Sequence, residues 1–448
     1  MGTTSTLPVP AVSASSQQDA HGKALSLNLE GTIYGTLAEI GAGQEVARWF
    51  LSVGAASGTV AKTISAYDKN VSDEIYGEGT RYVSKERLLA MLDHEYALLL
   101  DRLKGVHGQD KRFFVFADTV AARNYQGTNQ QHGWLGIRFQ AEPGSEPSQI
   151  LLHINQCDST AQLQQQAIGI LGVNLIYAAF HQRSGMDTFL AGLFDDLSIA
   201  RIEIDVIELG GPAFSDQDSA EWCLALLGRE MSHAIVFGDG GYPVEPGSVL
   251  RKRPLLVMRG TFSHPELLEP GLLQSGIRKL RAEGIPLERQ PVSLLELTVR
   301  HVTHPGTAVI DDMKKCIRRL AAHGPLIASD FPETYLLGRY LRRHSTEPVR
   351  FVMRVAAAAK IMHETFYQDL PGTLLEGLGK LLATNVALYV APMPREDFVA
   401  ALWGMPGTLA VRESANGLVA LDDLMPSAPG SHLFDYLRAA RRVVALEV

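Results

Sequence analysis

From Ala200 to about residue 395 the sequence alternates short apolar runs with helical patterns, and this alternation constrains the fold more than any other feature. Single helices between consecutive strands are typical of a parallel sheet with crossover connections. The pattern therefore predicts a mostly parallel, doubly wound, Rossmann-like α/β region over residues 200–395. One sheet or two smaller lobes would both fit the uneven connections. The predicted strands are Arg201–Leu209, His233–Phe237, Leu255–Arg259, Ser293–Val302, Leu326–Ser329, Val349–Val355 and Val386–Val390.

The chain before this region is predicted to form an α+β block over residues 29–199. A helix is predicted over Arg81–Lys104 from its apolar stripe, and a second one over Thr160–His181, which is apolar nearly all round in its second half. Between these helices, strand-like runs joined by polar loops containing Gly and Pro predict an antiparallel meander. The runs are Phe113–Thr119, Trp134–Gln140 and Gln149–Asn155.

Both ends of the chain are predicted to lie outside these two domains. Residues 1–28 are rich in Ser, Thr, Pro, Ala and Gln, a composition that predicts a disordered tail. Residues 396–448 are broken by Gly and Pro, and we expect them to form a C-terminal extension that ends in a helix at about His432–Val443.

Charge and cysteine usage narrow the class of protein. The net charge is −8 and the pI is about 6.0, which argues against a chain that clamps nucleic-acid phosphates. The three cysteines form no CxxC pair, so they predict neither a disulfide framework nor a thiolate zinc site and fit a reducing compartment. No apolar window reaches about 18 residues, and the N-terminus lacks the apolar region of a secretory signal. We therefore expect a cytoplasmic protein that binds neither nucleic acid nor membrane.

A glycine-rich turn follows the predicted strand His233–Phe237. It contains Asp239 between glycines, and such turns can hold a phosphate through their backbone amides. The plain alternative is that a turn uses Gly and Asp for their backbone preferences. The functional interpretation assigns substrate binding to Gly238, Gly240 and Gly241.

Charged residues follow other predicted strands, at the edge where open α/β sheets bind their ligands. Arg259 and Arg354 are predicted to bind anionic groups of a substrate, because guanidinium matches phosphate geometry. Asp239 and Asp330 are predicted catalytic residues, acting as a general base or as Mg²⁺ ligands.

A second candidate is the turn that contains Gly41 and Gly43, after an apolar run and before a helical pattern. Glycines at a strand-to-helix turn allow amides to approach a phosphate, and Asp68 is placed to bind ribose hydroxyls. This interpretation predicts an adenine-nucleotide cofactor such as NAD or S-adenosylmethionine. However, Val46 stands where the third glycine of GxGxxG belongs, so a structural tight turn is the alternative.

A third candidate is a pair of histidines on consecutive strands of the predicted meander. His132 precedes one strand and His153 lies on the next, so cross-strand pairing could bring the two imidazoles together. We predict His132 as a catalytic acid–base residue. The sequence offers no third ligand at metal spacing, and no metal site is predicted.

Four segments of the chain resemble those of a family of uncharacterised bacterial cytoplasmic proteins. The resemblance extends over about residues 30–395. It implies a bacterial cytoplasmic protein that folds over most of its length, and it implies no activity and no site residue. The segments are Ala38–Phe50, Ser65–Gly77, His132–Gln140 and Leu255–Phe262.

Together these patterns favour a soluble enzyme, a transferase or hydrolase, that acts on a phosphorylated or nucleotide-like small molecule. Its cleft would lie at the C-terminal ends of the parallel strands. Two alternatives stay open. One is a non-catalytic, self-assembling scaffold, a homo-oligomer that would use the apolar helix Ile168–Phe180 and the C-terminal helix for subunit contacts. The other is an enzyme with an adenosine cofactor bound at the Gly41–Gly43 turn.

Overall fold

A computed structural model of the chain describes residues 19–79, 81–127, 129–262, 268–286, 288–299, 307–405, 410–412, 417–428 and 430–448. The chain divides into two compact units. The first takes in the chain through Thr119 together with Gly136–Pro147 and Ser159–Ser198. The second takes in Val120–Leu135, Ser148–Asp158 and Ile199–Val448. The units therefore do not follow the chain order of the predicted domains, since strand segments from before residue 199 belong to the second unit.

One sheet has six strands in the order β2-β1-β3-β4-β5-β6. Strand β1 is parallel to β2 and β3, whereas β5 is antiparallel to β6. The backbone amide of Ala121 donates to the carbonyl of His132, and that of Gln156 to Gln131, as antiparallel neighbours do. The strands are β1 (Ile33–Ile40), β2 (Val60–Ile64), β3 (Arg112–Val120), β4 (His132–Gln140), β5 (Pro147–Gln156) and β6 (Ile202–Gly210).

The helices of the first unit include one that the sequence analysis assigned to a disordered tail. Helix α1 begins after Asp19, whose side chain accepts from the amide of Gly22. Its buried residues recur at helical spacing, but they are mostly small or polar, so no strong apolar stripe marks it. The helices are α1 (Ala20–Glu30), α2 (Glu45–Ser52), α3 (Lys69–Tyr76), α4 (Lys85–His107), α5 (Ala161–His181) and α6 (Met186–Leu193).

Helix α5 is buried over most of its length, as its apolar composition predicts. It packs against α1, α2 and α6 of its own unit. The apolar run Ile168–Phe180 is therefore buried against other helices of its own unit along nearly its whole length.

Lys23 on α1 is a buried cation of the first unit. Its ammonium group donates to Asn174 Oδ1 at 2.8 Å and to the carbonyl of Gly192 at 2.9 Å, and it lies 2.7 Å from Asp195 Oδ2. Burial lowers the pKa of Lys23, whereas the hydrogen bond to Asp195 raises it. A buried charge with all donors used makes α1 part of the core.

Replacing Lys23 measures how much the packing of α1 contributes to the stability of the protein. We expect Lys23→Ala to reduce the free energy of unfolding by about 3 kcal/mol or more, because Asp195 and Asn174 lose their buried partner. The exposed Lys104→Ala should change it by less than about 0.5 kcal/mol. Urea denaturation compares the two, and equal effects would contradict the assignment of α1 to the core.

The second sheet has seven strands in the order β17-β12-β11-β8-β9-β10-β7. All neighbouring pairs are parallel except β10 with β7. The seven strands of this sheet are β7 (Ala234–Phe237), β8 (Leu255–Gly260), β9 (Val292–Thr298), β10 (Leu326–Ser329), β11 (Val349–Arg354), β12 (Val386–Ala391) and β17 (Val443–Ala445). Four short strands outside this sheet lie between β12 and β17 in the chain: β13 (Met393–Pro394), β14 (Ala410–Val411), β15 (Leu418–Val419) and β16 (Leu424–Met425). Strand β13 pairs with β15, and β14 pairs with β16.

The order of the parallel strands is that of a Rossmann-like sheet. Numbered from β8, the order reads 3-2-1-4-5-6 from β10 to β17, the arrangement typical of dinucleotide-binding folds. The predicted α/β class with parallel strands is confirmed. The helices of this unit are α7 (Ser219–Gly228), α8 (Pro246–Leu250), α9 (Pro270–Ala282), α10 (Thr307–Ala321), α11 (Thr334–His344), α12 (Val355–Ile361), α13 (Thr373–Leu381), α14 (Arg395–Ala401) and α15 (Gly430–Ala439).

Three strand assignments differ from the predictions. The run Arg201–Leu209 forms β6 of the other sheet, and β7 runs antiparallel to its neighbour. Strand β17 includes Val443, which the sequence places at the end of the terminal helix. The last residues of the predicted run Ser293–Val302 lie outside the described residues. None of the described helices is both long enough and apolar enough to cross a membrane.

Candidate functional site

The parallel sheet reverses its strand order between β8 and β11. From β8 the chain winds through β9 to β10, then crosses back to place β11 on the other side of β8. Open α/β sheets bind ligands at the carboxyl ends of the strands at this switch point. A cavity of about 480 Å³ lies here, and we call it the switch-point cavity. Its polar lining includes Arg259, Thr261, Thr298, Glu333, Thr334 and Lys360.

Arg259, predicted to bind substrate, lines this cavity at the end of β8. Its Nε lies 3.1 Å from Thr298 Oγ1 and 3.1 Å from Glu296 Oε2, and Nη2 donates to the carbonyl of Phe331. Glu296 is fully buried and also accepts from Ser329 Oγ at 2.5 Å. The guanidinium group is therefore held in one orientation by a buried carboxylate.

Lys360 is a second cation of the cavity, and the sequence analysis missed it. It follows an alanine run at the end of α12 and is half-buried. Among the residues that the structure describes, no carboxylate forms an ion pair with Lys360. The sequence gives little indication of this role, because a lysine in the last turn of a helix ordinarily points into solvent and interacts with the helix dipole.

Arg354 and Asp330 are placed at strand ends as predicted, but neither is among the residues that line the cavity. Arg354 is paired with Glu269, which precedes α9, and donates to the carbonyl of Pro392. Asp330 lies 3.1 Å from His233 Nδ1, and this hydrogen bond raises the pKa of His233. Both side chains are committed to contacts within the protein.

Asp239 and its glycines lie at the opposite end of the strands from Arg259, beside the beginning of β10. Because β7 is antiparallel to β10, Phe237 pairs with Leu326, at the beginning of β10, whereas Asp330 follows its end. Asp239 and Asp330 therefore lie near opposite ends of β10, which argues against a role for both carboxylates at one substrate or one Mg²⁺ ion.

The glycines at this edge reverse the chain. Gly240 and Gly241 have φ of 73° and 78°, which side chains with a Cβ rarely adopt. The amide of Gly238 donates to the carbonyl of Tyr242 at 2.9 Å, and Val244 then donates to Val236. The plain interpretation of Gly238, Gly240 and Gly241 as a turn accounts for their positions.

The Gly41–Gly43 turn lies between β1 and α2, and both glycines have positive φ. The helix beyond it is already capped by the chain itself. Glu39 accepts from the amides of Val46 at 3.0 Å and Ala47 at 2.9 Å, the groups that would face a bound phosphate. This intramolecular carboxylate argues against a nucleotide at the turn.

Asp68 is likewise used as a cap. Its carboxylate accepts from the amides of Asn70 at 2.9 Å and Val71 at 3.1 Å, at the beginning of α3. The predicted contact with a ribose would require it to leave this position. The tight-turn alternative for Gly41 and Gly43 fits the structure better than the cofactor interpretation.

Glu39 has a buried acidic neighbour. Asp118 is its register partner on β3, and both side chains are almost fully buried. Burial raises the pKa of Glu39 to about 7, and burial together with the charge of Glu39 raises that of Asp118. Asp118 Oδ1 accepts from the amide of Ile40 at 3.1 Å, while Oδ2 has no partner.

This acidic pair makes the stability of the first unit depend on pH. Folded pKa values above the unfolded ones mean that the folded state holds protons more tightly, so stability falls as pH rises from about 4 to above 7. Asp118→Asn keeps the acceptor for Ile40 and removes the charge. We expect it to stabilise the protein by about 1 to 3 kcal/mol at about pH 8 and by much less at about pH 5.

Urea denaturation at both pH values measures this difference. Asp101→Asn, an exposed change on α4, serves as the control and should have no effect at either pH. A gain for Asp118→Asn that is equal at both pH values would contradict the assignment.

His132 and His153 meet as the cross-strand argument expects. His132 Nδ1 lies 3.0 Å from His153 Nε2, and both side chains are buried. On the other side, His153 Nδ1 lies 2.5 Å from Asp205 Oδ1. The register of β5 with β6 shifts between His153 and Ile154, and this bulge directs Asp205 toward the imidazole. The sequence analysis did not find Asp205, although the adjacent apolar residues Val206 and Ile207 interrupt the alternation of the strand beside the bulge.

A larger cavity, of about 680 Å³, lies in the C-terminal part of the chain. Its lining is mainly apolar and includes Phe398, Leu402 and Trp403. Arg395 is the one arginine among its lining residues, which include no lysine. The switch-point cavity therefore offers the stronger cationic surface for an anionic ligand.

No family model matches this chain, and no curated protein matches it. Similar solved structures include a competence/damage inducible protein from Agrobacterium tumefaciens, 16% identical, covering 36% of this chain and 95% of that one with a TM-score of 0.27. A CinA superfamily protein from Enterobacter cloacae is 12% identical over 40% of this chain and 99% of that one, with a TM-score of 0.25. One from Escherichia coli is 14% identical over 41% and 93%, with a TM-score of 0.26. At TM-scores this low the similarity supports no conclusion about function.

Proposed function

We propose that the protein is an enzyme that binds a phosphorylated or nucleotide-like small molecule in the switch-point cavity. The observation that carries this proposal is the position of Arg259 and Lys360 in one cavity, at the point where the parallel strand order reverses. In this class of sheet, that point is where ligands bind.

The lining of the cavity matches a ligand with one anionic and one apolar part. Lys360 and Arg259 attract phosphoryl oxygens, and the hydroxyls of Thr261 and Thr334 can donate to them. Met353, Ile361 and Phe366 form an apolar wall that suits a nucleobase or another flat apolar group. A volume of about 480 Å³ lies within the usual range for small-molecule sites.

Glu333 is the carboxylate of this cavity. We assign to it the role predicted for Asp239 and Asp330, as the group that accepts a proton or binds a Mg²⁺ ion beside the phosphate. This assignment favours a transferase or hydrolase of phosphorylated substrates. Lys360 and Arg259 would stabilise negative charge that develops on phosphoryl oxygens during the reaction.

The cytoplasm is the compartment that we propose for this enzyme. Cys157, Cys223 and Cys316 are all free thiols in the structure. Burial of its sulfur raises the pKa of Cys157 to about 11, so this residue is a poor thiolate. Unpaired cysteines are usual in a reducing compartment.

Lys360→Ala tests the proposal, since Arg259 could not be replaced without stranding the buried Glu296. We expect ADP or inorganic pyrophosphate to raise the melting temperature of the full chain. The affinity measured by calorimetry should fall about tenfold to a hundredfold in Lys360→Ala, because a charged hydrogen bond is worth about 1.5 to 3 kcal/mol.

Two control variants separate this effect from a general loss of charge. Lys315→Ala removes an exposed cation of α10, and Asp239→Ala removes the carboxylate at the opposite edge. Both should bind as the unmodified protein does. An absence of any thermal shift with nucleotides and phosphate esters, or equal losses in Lys360→Ala and Lys315→Ala, would overturn the proposal.

A further inference from the structure

We propose that His132, His153 and Glu245 of the second unit bind one divalent transition-metal ion of the zinc class. Each of these residues offers one ligand atom, and the three atoms lie within 4.8 Å of one another. The two imidazole nitrogens are 3.0 Å apart. Two nitrogens that share a metal at about 2.0–2.1 Å lie about 2.9–3.4 Å apart for angles between square and tetrahedral, so the pair needs little movement.

Asp205 supplies the outer contact that such a site needs. Its carboxylate lies 2.5 Å from His153 Nδ1, and Asn155 Nδ2 donates to its other oxygen at 2.7 Å. A proton held on Nδ1 by Asp205 leaves Nε2 of His153 as a lone pair directed at His132 and the ion. Carboxylates that orient metal-bound histidines in this way are the usual outer ligands of zinc sites.

The proton balance of metal binding is simple. With the proton of His153 on Nδ1, facing Asp205, the hydrogen bond between the two rings is donated by His132 Nδ1. When both nitrogens bind the ion, that proton moves to His132 Nε2, and each imidazole stays neutral. No oxidant or reductant is involved.

The charges around the cluster also suit a divalent cation. Asp205 and Glu245 place two carboxyl groups beside the imidazoles, and carboxyl groups are ordinary partners of histidines that bind divalent ions. His344 lies in the same buried region, where its Nδ1 is 3.0 Å from Gln130 Nε2. Burial lowers the pKa of His344, whereas the charge of Asp205 raises it.

The glycine turn after β7 explains how Glu245 reaches the histidines. The turn sends the chain back along β7, where Pro243 bridges to Phe237 and Val244 donates to Val236. Glu245 follows directly and is half-buried. Three protein ligands leave a fourth position for water, which is the arrangement of zinc sites that exchange a ligand. No sequence spacing reveals this set, because its members lie on β4, β5 and a distant turn.

The test uses the full chain without a polyhistidine tag, stripped with EDTA and dialysed against Zn²⁺ alone or Co²⁺ alone. We expect about one ion per chain and, with Co²⁺, the visible absorption of a low-symmetry site containing nitrogen ligands. His153→Ala and His132→Ala should abolish the bound ion. Glu245→Gln should weaken binding at least about tenfold, and Asp205→Asn about tenfold to a hundredfold with unchanged stoichiometry.

Control variants keep the result independent of folding. His233→Ala removes a half-exposed histidine outside the cluster and should bind metal as the unmodified chain does. Glu245→Gln changes a half-buried side chain by one atom, and circular dichroism checks that it folds. A chain that binds no stoichiometric metal, with His132 and His153 joined only by their hydrogen bond, would overturn the proposal. Undiminished binding in Glu245→Gln and His132→Ala would do the same.

Discussion

The antiparallel pairing of β7 with β10 determines which polar turns of the second unit can share a site. In a fully parallel sheet, the turn after β7 would lie beside Arg259 and Asp330, at the ligand-binding edge. The observed pairing of Phe237 with Leu326 places that turn at the other edge. The chain then reverses and runs back along β7, which delivers Glu245 to His132 and His153. One strand direction thus places Asp239 and Asp330 near opposite ends of β10 and brings Glu245 beside the two histidines.

Buried carboxylates fix the other important side chains. Glu296 orients Arg259 in the switch-point cavity, and Asp205 orients His153. In the first unit, Glu39 occupies the beginning of α2 in place of a ligand. Each carboxylate is fully or almost fully buried, so removing it leaves its hydrogen-bond partners buried and unsatisfied, which destabilises the protein. Buried carboxylates therefore hold the side chains of two candidate sites in place. At the third, the Gly41–Gly43 turn, a buried carboxylate takes the position that a ligand would need.

Much of the fold could be predicted from the sequence because strands of a parallel sheet are apolar on both faces. Runs such as Leu255–Arg259 and Val386–Val390 carry that mark, and the helices between them predict parallel crossovers. The direction of β7 could not be predicted, since Ala234–Phe237 is four apolar residues that fit either direction. Helix α1 was missed because Lys23 is buried through specific polar partners that only the folded chain assembles.

Some residues of the candidate sites could likewise be predicted from the sequence, and others could not. The meeting of His132 with His153 could be predicted because consecutive strands of a meander are neighbours. The positions of Glu245 and Asp205 beside these histidines could not be predicted. Glu245 depends on the chain reversal after β7, and Asp205 depends on a bulge. Arg259 was found from its position at a strand end, whereas Lys360 became visible only when the strand order placed α12 beside the cavity.

A crystal structure of the full chain grown with ADP tests the central claim most directly. The account predicts ordered phosphates in the switch-point cavity, within hydrogen-bond distance of Lys360 Nζ, and the adenine against the apolar wall that includes Phe366. An ADP molecule bound at the Gly41–Gly43 turn, or a switch-point cavity that stays free of nucleotide at saturating concentration, would contradict it.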